Sequence, residues 1–250
     1  HTISRPLQEM RATADAIRRG DLTARNRIDR TDELGVLAQA FNRMADQLQS
    51  QMTVQQGTRE IMEAVARAAT VPGFCTELLP VLLRATRSDL GAFYLPEADG
   101  RLAPAAAQGL SAAALEPFDA ARLEGALGAA LAARQVCHLQ EIPPDTRFTF
   151  RTVAGTAVPH AMLTIPIVVG DRVAAVIALA ALRDYPPESL AVVETSLTAL
   201  GVGFATLLAG EETQRLAAEL AGTNTELVAQ TGELAAQALE LQKQADTLQA

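Results

Sequence analysis

Few side chains in this sequence could do chemistry, and they lie far apart. It has three His (His1, His138, His160), two Cys (Cys75, Cys137) and one Lys (Lys243). Cys137 and His138 are adjacent, a thiol beside an imidazole, in the run Arg134-Gln-Val-Cys-His-Leu-Gln-Glu. That run reads as an inner strand. Strand alternation then sends the two side chains to opposite faces, and a buried Cys ordinarily serves as a small hydrophobe. His160 follows Pro159 and would titrate near neutral pH at a pocket mouth, or sit hydrogen-bonded in a loop. Phe148 and Phe150 lie in Arg147-Phe-Thr-Phe-Arg151, within a long loop from 142 to 162. Such aromatics either cover a ligand or anchor the loop, and Arg147 and Arg151 would attract an anion or face solvent. With Phe118 these give the candidate ligand-binding set: Phe118, Cys137, Phe148, Phe150 and His160. No residue is assigned a catalytic or metal-binding role, because no nucleophile–base pair or metal spacing occurs. A phospho-accepting His needs an acidic residue after it, but His138 precedes Leu139 and His160 precedes Ala161. There is no P-loop or Gly-x-Gly-x-x-Gly element, so the chain is expected not to be an enzyme.

Composition narrows the class. The 250 residues carry a net charge of −8, with 49% hydrophobic and 4% aromatic residues and no Trp. A nucleic-acid binder shows a basic footprint, so nucleic acid is excluded as a partner. Two Cys are too few for a disulfide framework and fit a reducing compartment. The nearest approach to a membrane span is 161–182, broken by Gly170-Asp171-Arg172 into two strands and a turn. These residues are expected to be soluble.

Three regions must position whatever site exists. In 1–57, Leu7, Met10, Ala14 and Ile17 form one a/d stripe, and Leu34, Leu37, Phe41, Met44 and Leu48 a second. The polar, Arg-rich stretch between them allows either an antiparallel hairpin or a parallel pair with an extended connector. The stripes are too narrow to be buried in a monomer, so a partner chain is expected. In 58–209 the order reads helix (59–69, 75–86), strand (91–96), turn at Glu97-Ala-Asp-Gly100, strand (102–108), helix (120–134) and strand (136–142). A hairpin (162–169, 172–182) follows around Gly170-Asp171, then a helix from Pro186-Pro187-Glu188 to about 208. This is an α+β region with a mostly antiparallel sheet. In 210–250, Leu220, Leu227, Leu234, Leu241 and Leu248 recur every seven residues. With Leu at d, Asn224 falls at an a position, which favours a two-stranded parallel coil.

Residues 3–50 resemble a HAMP domain: Pro6 opening the first helix, Gly20-Asp21-Leu22 opening the connector, Asp32-Glu33-Leu34-Gly35 opening the second helix, then Phe41, Asn42 and Met44. Acidic residues at that helix start complement its dipole. Residues 58–209 resemble a GAF domain through the helix at 78–87, Gly91-Ala-Phe-Tyr-Leu, Gly109, Leu163-Thr-Ile-Pro-Ile-Val-Val-Gly-Asp-Arg-Val and Val176-Ile-Ala-Leu.

The resemblance implies a dimerising or sensory module with a pocket between sheet and loops. It also raises bilin attachment or haem ligation at Cys137-His138, which the strand reading disfavours. The Asn-Lys…Phe…Asp-Glu set of cyclic-nucleotide GAF domains is missing, since the region has no Lys. No cofactor is evident and the ligand is unknown. The order of the three regions is similar to the signalling arm of a bacterial sensor histidine kinase. That implies a parallel homodimer joined through Pro6, Leu7, Met10, Ile17, Asp32, Glu33, Leu37, Phe41, Met44, Leu220, Asn224, Leu227, Leu234, Leu241 and Leu248. It further implies a kinase domain in cis, a response regulator as partner, and location as the cytoplasmic portion of an inner-membrane protein. A membrane span before His1 and an output domain after Ala250 belong to the same expectation. The alternatives are a ligand-free GAF scaffold or the input arm of another output, such as a cyclic-di-nucleotide enzyme.

Overall fold

The computed structural model describes residues 4–110, 115–119, 125–142, 149–152 and 155–248. It divides into two compact units, 1–204 and 205–250.

The first unit begins with α1 (Ser4–Arg18) and α2 (Glu33–Arg67). The connector between them retraces α2. The Arg25 guanidinium donates to Asp46 and Gln49, and Asn26 exchanges backbone bonds with the Asn42 side chain at 2.8 and 2.9 Å. This return path is what a parallel helix pair requires, and it resolves the choice the sequence left open. The start of α2 is fixed tightly. Asp32 is the N-cap, accepting from the Gly35 N–H at 3.3 Å and pairing with Arg30. A side chain on residue 35 is excluded, since a Cβ there would lie 1.8 Å from the Arg30 carbonyl oxygen.

Next comes α3 (Val71–Thr86), capped by Thr70 through the Gly73 N–H at 3.1 Å. The strands are β1 (Leu90–Pro96), β2 (Arg101–Gln108), β3 (Phe118–Asp119), β4 (Cys137–Gln140), β5 (Phe150–Thr152), β6 (Gly155–Ala157), β7 (Ala161–Val169) and β8 (Arg172–Ala181), with α4 (Gly125–Ala133) before β4. The main sheet has the order β3-β2-β1-β8-β7-β4, every described pair antiparallel, and β5-β6 form a separate hairpin. The α+β class with an antiparallel sheet and flanking helices is as the sequence indicates. Gly170 turns the β7–β8 hairpin with φ +61, as its place at the first central position demands.

One sheet face packs on helices. Phe93, Leu163, Ile165, Ile177 and Leu179 lie under α3 and under α5 (Pro187–Leu248). Phe74 of α3 meets Phe93 and Phe204 edge-on, with ring centroids 6.0 and 5.3 Å away. Losing such a buried ring costs about 3–5 kcal/mol.

The structure corrects several sequence readings. Cys137-His138 does not lie on an inner strand: β4 is the edge of the sheet, because its pairing is completed only by β7. The loop from 142 to 162 contains the β5–β6 hairpin, so Phe150 is a strand residue. The helix expected over 120–134 is described from Gly125. α5 is one helix of 62 residues, which carries the helix begun at Pro187 on into the heptad region. The stretch 161–182 is not the nearest approach to a membrane span either. By length and composition alone α5 is apolar enough to cross one, with a window of mean hydropathy 1.6. Part of that apolar character belongs to Val192, Val193, Leu200 and Phe204, which are buried in the core.

Candidate functional site

The sheet face turned away from α3 and α5 carries an apolar cluster. Leu90, Ala92, Tyr94, Leu102, Met162, Val176, Ala178 and Ala180 form it, and Leu110, Leu131, Leu139, Ile142, Ala157 and Val173 pack against it. Directly paired residues of an antiparallel sheet share a face. Thr164 pairs with Ala178 and with Cys137, so both belong to this side. The Thr164 hydroxyl is fully buried with no hydrogen-bond partner. Burial pushes the Tyr94 phenol up to about 12, so it stays protonated across the physiological range. The cluster is closely covered, its members being 0–5% exposed beneath the side chains packed against them, and a hydroxyl and a thiol lie on the same side of the sheet.

The candidate residues do not gather at one place. Cys137 lies on the open face, half-buried. His138 lies on the opposite face, as alternation requires. Its ring meets Tyr185 edge-on at 5.8 Å, and its Nε2 is buried without a partner. Tyr185 in turn shares a 2.9 Å hydrogen bond with Ser88, and burial raises its phenol well above the usual range. His160 is exposed and pairs through Nε2 with Asp184 at 3.2 Å, away from the apolar cluster. By backbone register Phe118 pairs with Leu102 and Phe150 with Ala157, both partners being at the open face. The side chains of Phe118 and Phe150, and Phe148 altogether, lie outside the described residues. Among the described residues no group of His, Cys, Asp and Glu could hold a metal.

Sequence reasoning missed a concavity elsewhere in the first unit. A groove of about 830 Å³ opens where the connector meets α2 and the end of α3, lined by Leu22, Met52, Gln56, Arg59, Arg84 and Arg87 among others. Its only sequence trace was the polar break at Gln55-Gln56 after the apolar stripe.

The stripes expected to join two chains are exposed. Leu37 is 51% exposed on α2; Leu220 is 70% and Leu234 64% exposed on α5. Leu7, Met44, Leu48 and Leu227 are exposed as well. Pro6, Met10, Ile17 and Phe41 are half-buried, and Asp32 and Glu33 are used in opening α2. The side chains of Leu241 and Leu248 lie outside the described residues.

Comparison with known proteins accounts for this geometry. Residues 1–50 match the family model of the HAMP domain, and residues 68–205 match that of the GAF domain. Among solved structures, the GAF domain of a phosphoenolpyruvate-protein phosphotransferase from Coxiella burnetii is similar at 19% identity and TM-score 0.53, over 64% of this chain and 98% of that one. The corresponding Acinetobacter domain gives 16% and 0.51, over 62% and 94%. Free methionine-R-sulfoxide reductase from Neisseria meningitidis, solved with its substrate, gives 15% and 0.52, over 63% and 91%. At such identities the likeness is one of fold. No curated protein matches the chain.

Proposed function

Because this chain belongs to the GAF domain family and carries a HAMP domain ahead of it, we propose that it is the input and linker region of a bacterial membrane sensor, in the first instance a histidine kinase. The signal enters through the HAMP helices and leaves along α5, and a small molecule on the open sheet face modulates its passage. The chain works as a parallel homodimer, on the cytoplasmic side of an inner membrane, passing its signal to a kinase domain and through it to a response regulator. It performs no catalysis itself.

The observation that carries this reading is continuity. α2 runs unbroken for 35 residues, from the HAMP match to the start of the GAF match, and α5 leaves the GAF core as an unbroken helix. A displacement at one end of a helix is delivered at the other without a flexible joint. Exposed a/d stripes on both helices support a dimer, since such surfaces are covered in a working assembly. Full commitment to either of two packings requires about 5.5 kcal/mol of preference.

The test places Cys at Leu227 or Leu234 and measures crosslinking between copies with and without stimulus. A changed pattern is expected; an invariant one removes the relay. The packing of Leu131, Leu139 and Ile142 against the open face favours a second reading, a ligand-free assembly module. In that case no metabolite in a thermal-shift screen would raise the melting point.

A further inference from the structure

Within the first unit, α2 and the opening of α5 run side by side in the same direction. Ser50 Oγ donates to Glu188 Oε1 at 2.8 Å across a separation of 138 residues. The same separation recurs at Val65 and Gly203, where a Cβ on Gly203 would lie 2.2 Å from Val65 Cγ1. Between these points a Cβ on Gly57 would meet Val192 Cγ2 at 3.0 Å. Two glycines thus let the backbones approach as closely as they do.

Thr58 and Ser196 stand at the same 138-residue separation, in the middle of this seam. Thr58 is 8% exposed and Ser196 fully buried, and the hydroxyl of each has no hydrogen-bond partner. An isolated buried hydroxyl forfeits its hydration with nothing in return. The two occupy corresponding positions on parallel helices, at the separation that joins Ser50 to Glu188.

We propose that the seam is a two-position device. In the position seen here Ser50 holds Glu188, and the hydroxyls of Thr58 and Ser196 go without partners. A small slide or rotation of α2 against α5 releases Ser50 from Glu188 and pairs Thr58 with Ser196. The two positions exchange one hydrogen bond for another, the near-balance a switch needs. HAMP displacement then reaches α5 directly, side by side, without passing through the sheet. Glu188 also feels the Arg87 guanidinium, and Arg87 lines the groove beside the seam. The inference rests on the relay reading and says where the relay switches.

The experiment is hydrogen exchange on the 250-residue chain. S50A should shift the seam to its second position and change amide exchange over 188–204 by roughly tenfold. In the T58V/S196A background the same S50A change should stay local to residue 50, because the second position has lost its bond. T58V/S196A alone should melt higher than the parent, since it removes two unsatisfied groups and keeps the volume at residue 58. If S50A spreads equally in both backgrounds, or T58V/S196A melts lower, the device does not exist. A separate arm oxidises M44C. Failure to form the intermolecular disulfide would sink the dimeric relay and leave the seam result standing. A disulfide that leaves 188–204 unchanged, while S50A changes it, would show a seam uncoupled from HAMP.

Discussion

Cys75 and Cys137 differ in burial, and that difference predicts their chemistry. Cys75 is enclosed in α3 and its thiol is pushed up to about 12 by burial, whereas Cys137 stands half-buried on an edge strand. Iodoacetamide should therefore modify one thiol per native chain, at Cys137, and both after unfolding; intact mass reads the count. The same burial fixes a pH dependence. An acid whose native value is raised contributes its full stability below its unfolded value and loses it as pH rises through the native one. For Cys75 that window runs from 9.0 to about 12. C75A should flatten that part of the urea-midpoint curve while Tyr94 and Tyr185 still act. Glu188 works in the opposite direction. The free N–H at the start of α5, then Ser50 and Arg87, hold its carboxyl below the usual glutamate range. Its contribution is present above the ordinary glutamate value and is lost as pH falls through the lowered one. At Gly35 even a methyl would overlap the Arg30 carbonyl, so G35A should loosen the connector, seen as faster exchange at Asn26. The sequence marked Asp-Glu-x-Gly as an N-terminal signature for its acids. The reason for its glycine, a backbone pressed against it from five residues upstream, exists only in three dimensions.

At the scale of elements, periodicity was legible and neighbourhood was not. The heptads of 210–250, the stripes of α1 and α2 and the two hairpins around Asp99-Gly100 and Gly170-Asp171 are local patterns, and they stand where local rules put them. The rank of Cys-His-Leu-Gln within the sheet is different: inner and edge strands of four residues can carry the same alternation, and only the pairing order separates them. The β5–β6 hairpin was missed because its strands are three residues long and hold Gly and Thr, too short for a period to register. The candidate ligand residues were chosen by chemical type; register puts Phe118, Cys137 and Phe150 on one side of the sheet, while His160 pairs with Asp184 instead. Thr58 and Ser196 gave no sequence signal, because two hydroxyls far apart in the chain become a pair only when their helices align. One element-scale prediction concerns α5. A side chain on Gly210, Gly222 or Gly232 would meet nothing within 4 Å, so none of the three has a packing role among the described residues. Replacing each with Ala should stabilise the helix by about 1 kcal/mol, read as a higher midpoint in helix melting by circular dichroism.

At the scale of the whole molecule, acidic charge, the absence of catalytic spacing and the three-part order already pointed to a relay. The path by which its parts communicate had to come from packing. The parallel seam places the entering and leaving helices in direct contact, while the open face lies on the far side of the sheet. Under the proposed relay a ligand there would act on α5 across the sheet, whereas HAMP would act through Ser50 and Glu188. The two inputs should therefore be separable. M162F, which adds volume to the closely packed cluster on that face, is expected to lower the chain's stability by about 1–3 kcal/mol while leaving the S50A exchange response intact, as paired thermal-shift and exchange measurements would show.

The last 44 residues of α5 have a further consequence. From residue 205 on, the helix exposes Leu216, Leu220, Leu227, Val228 and Leu234 to water and has Gly at 210, 222 and 232. A helix of that make-up gains most of its stability from a covered apolar face, and without one it is marginal. Its persistence then depends on how many copies are present to meet one another. Below the dissociation constant the segment should melt and be trimmed by protease, leaving the core of 1–204. The output helix would in that way register abundance as well as stimulus: a cell holding too few copies would have no intact transmitter, whatever reached the sensor.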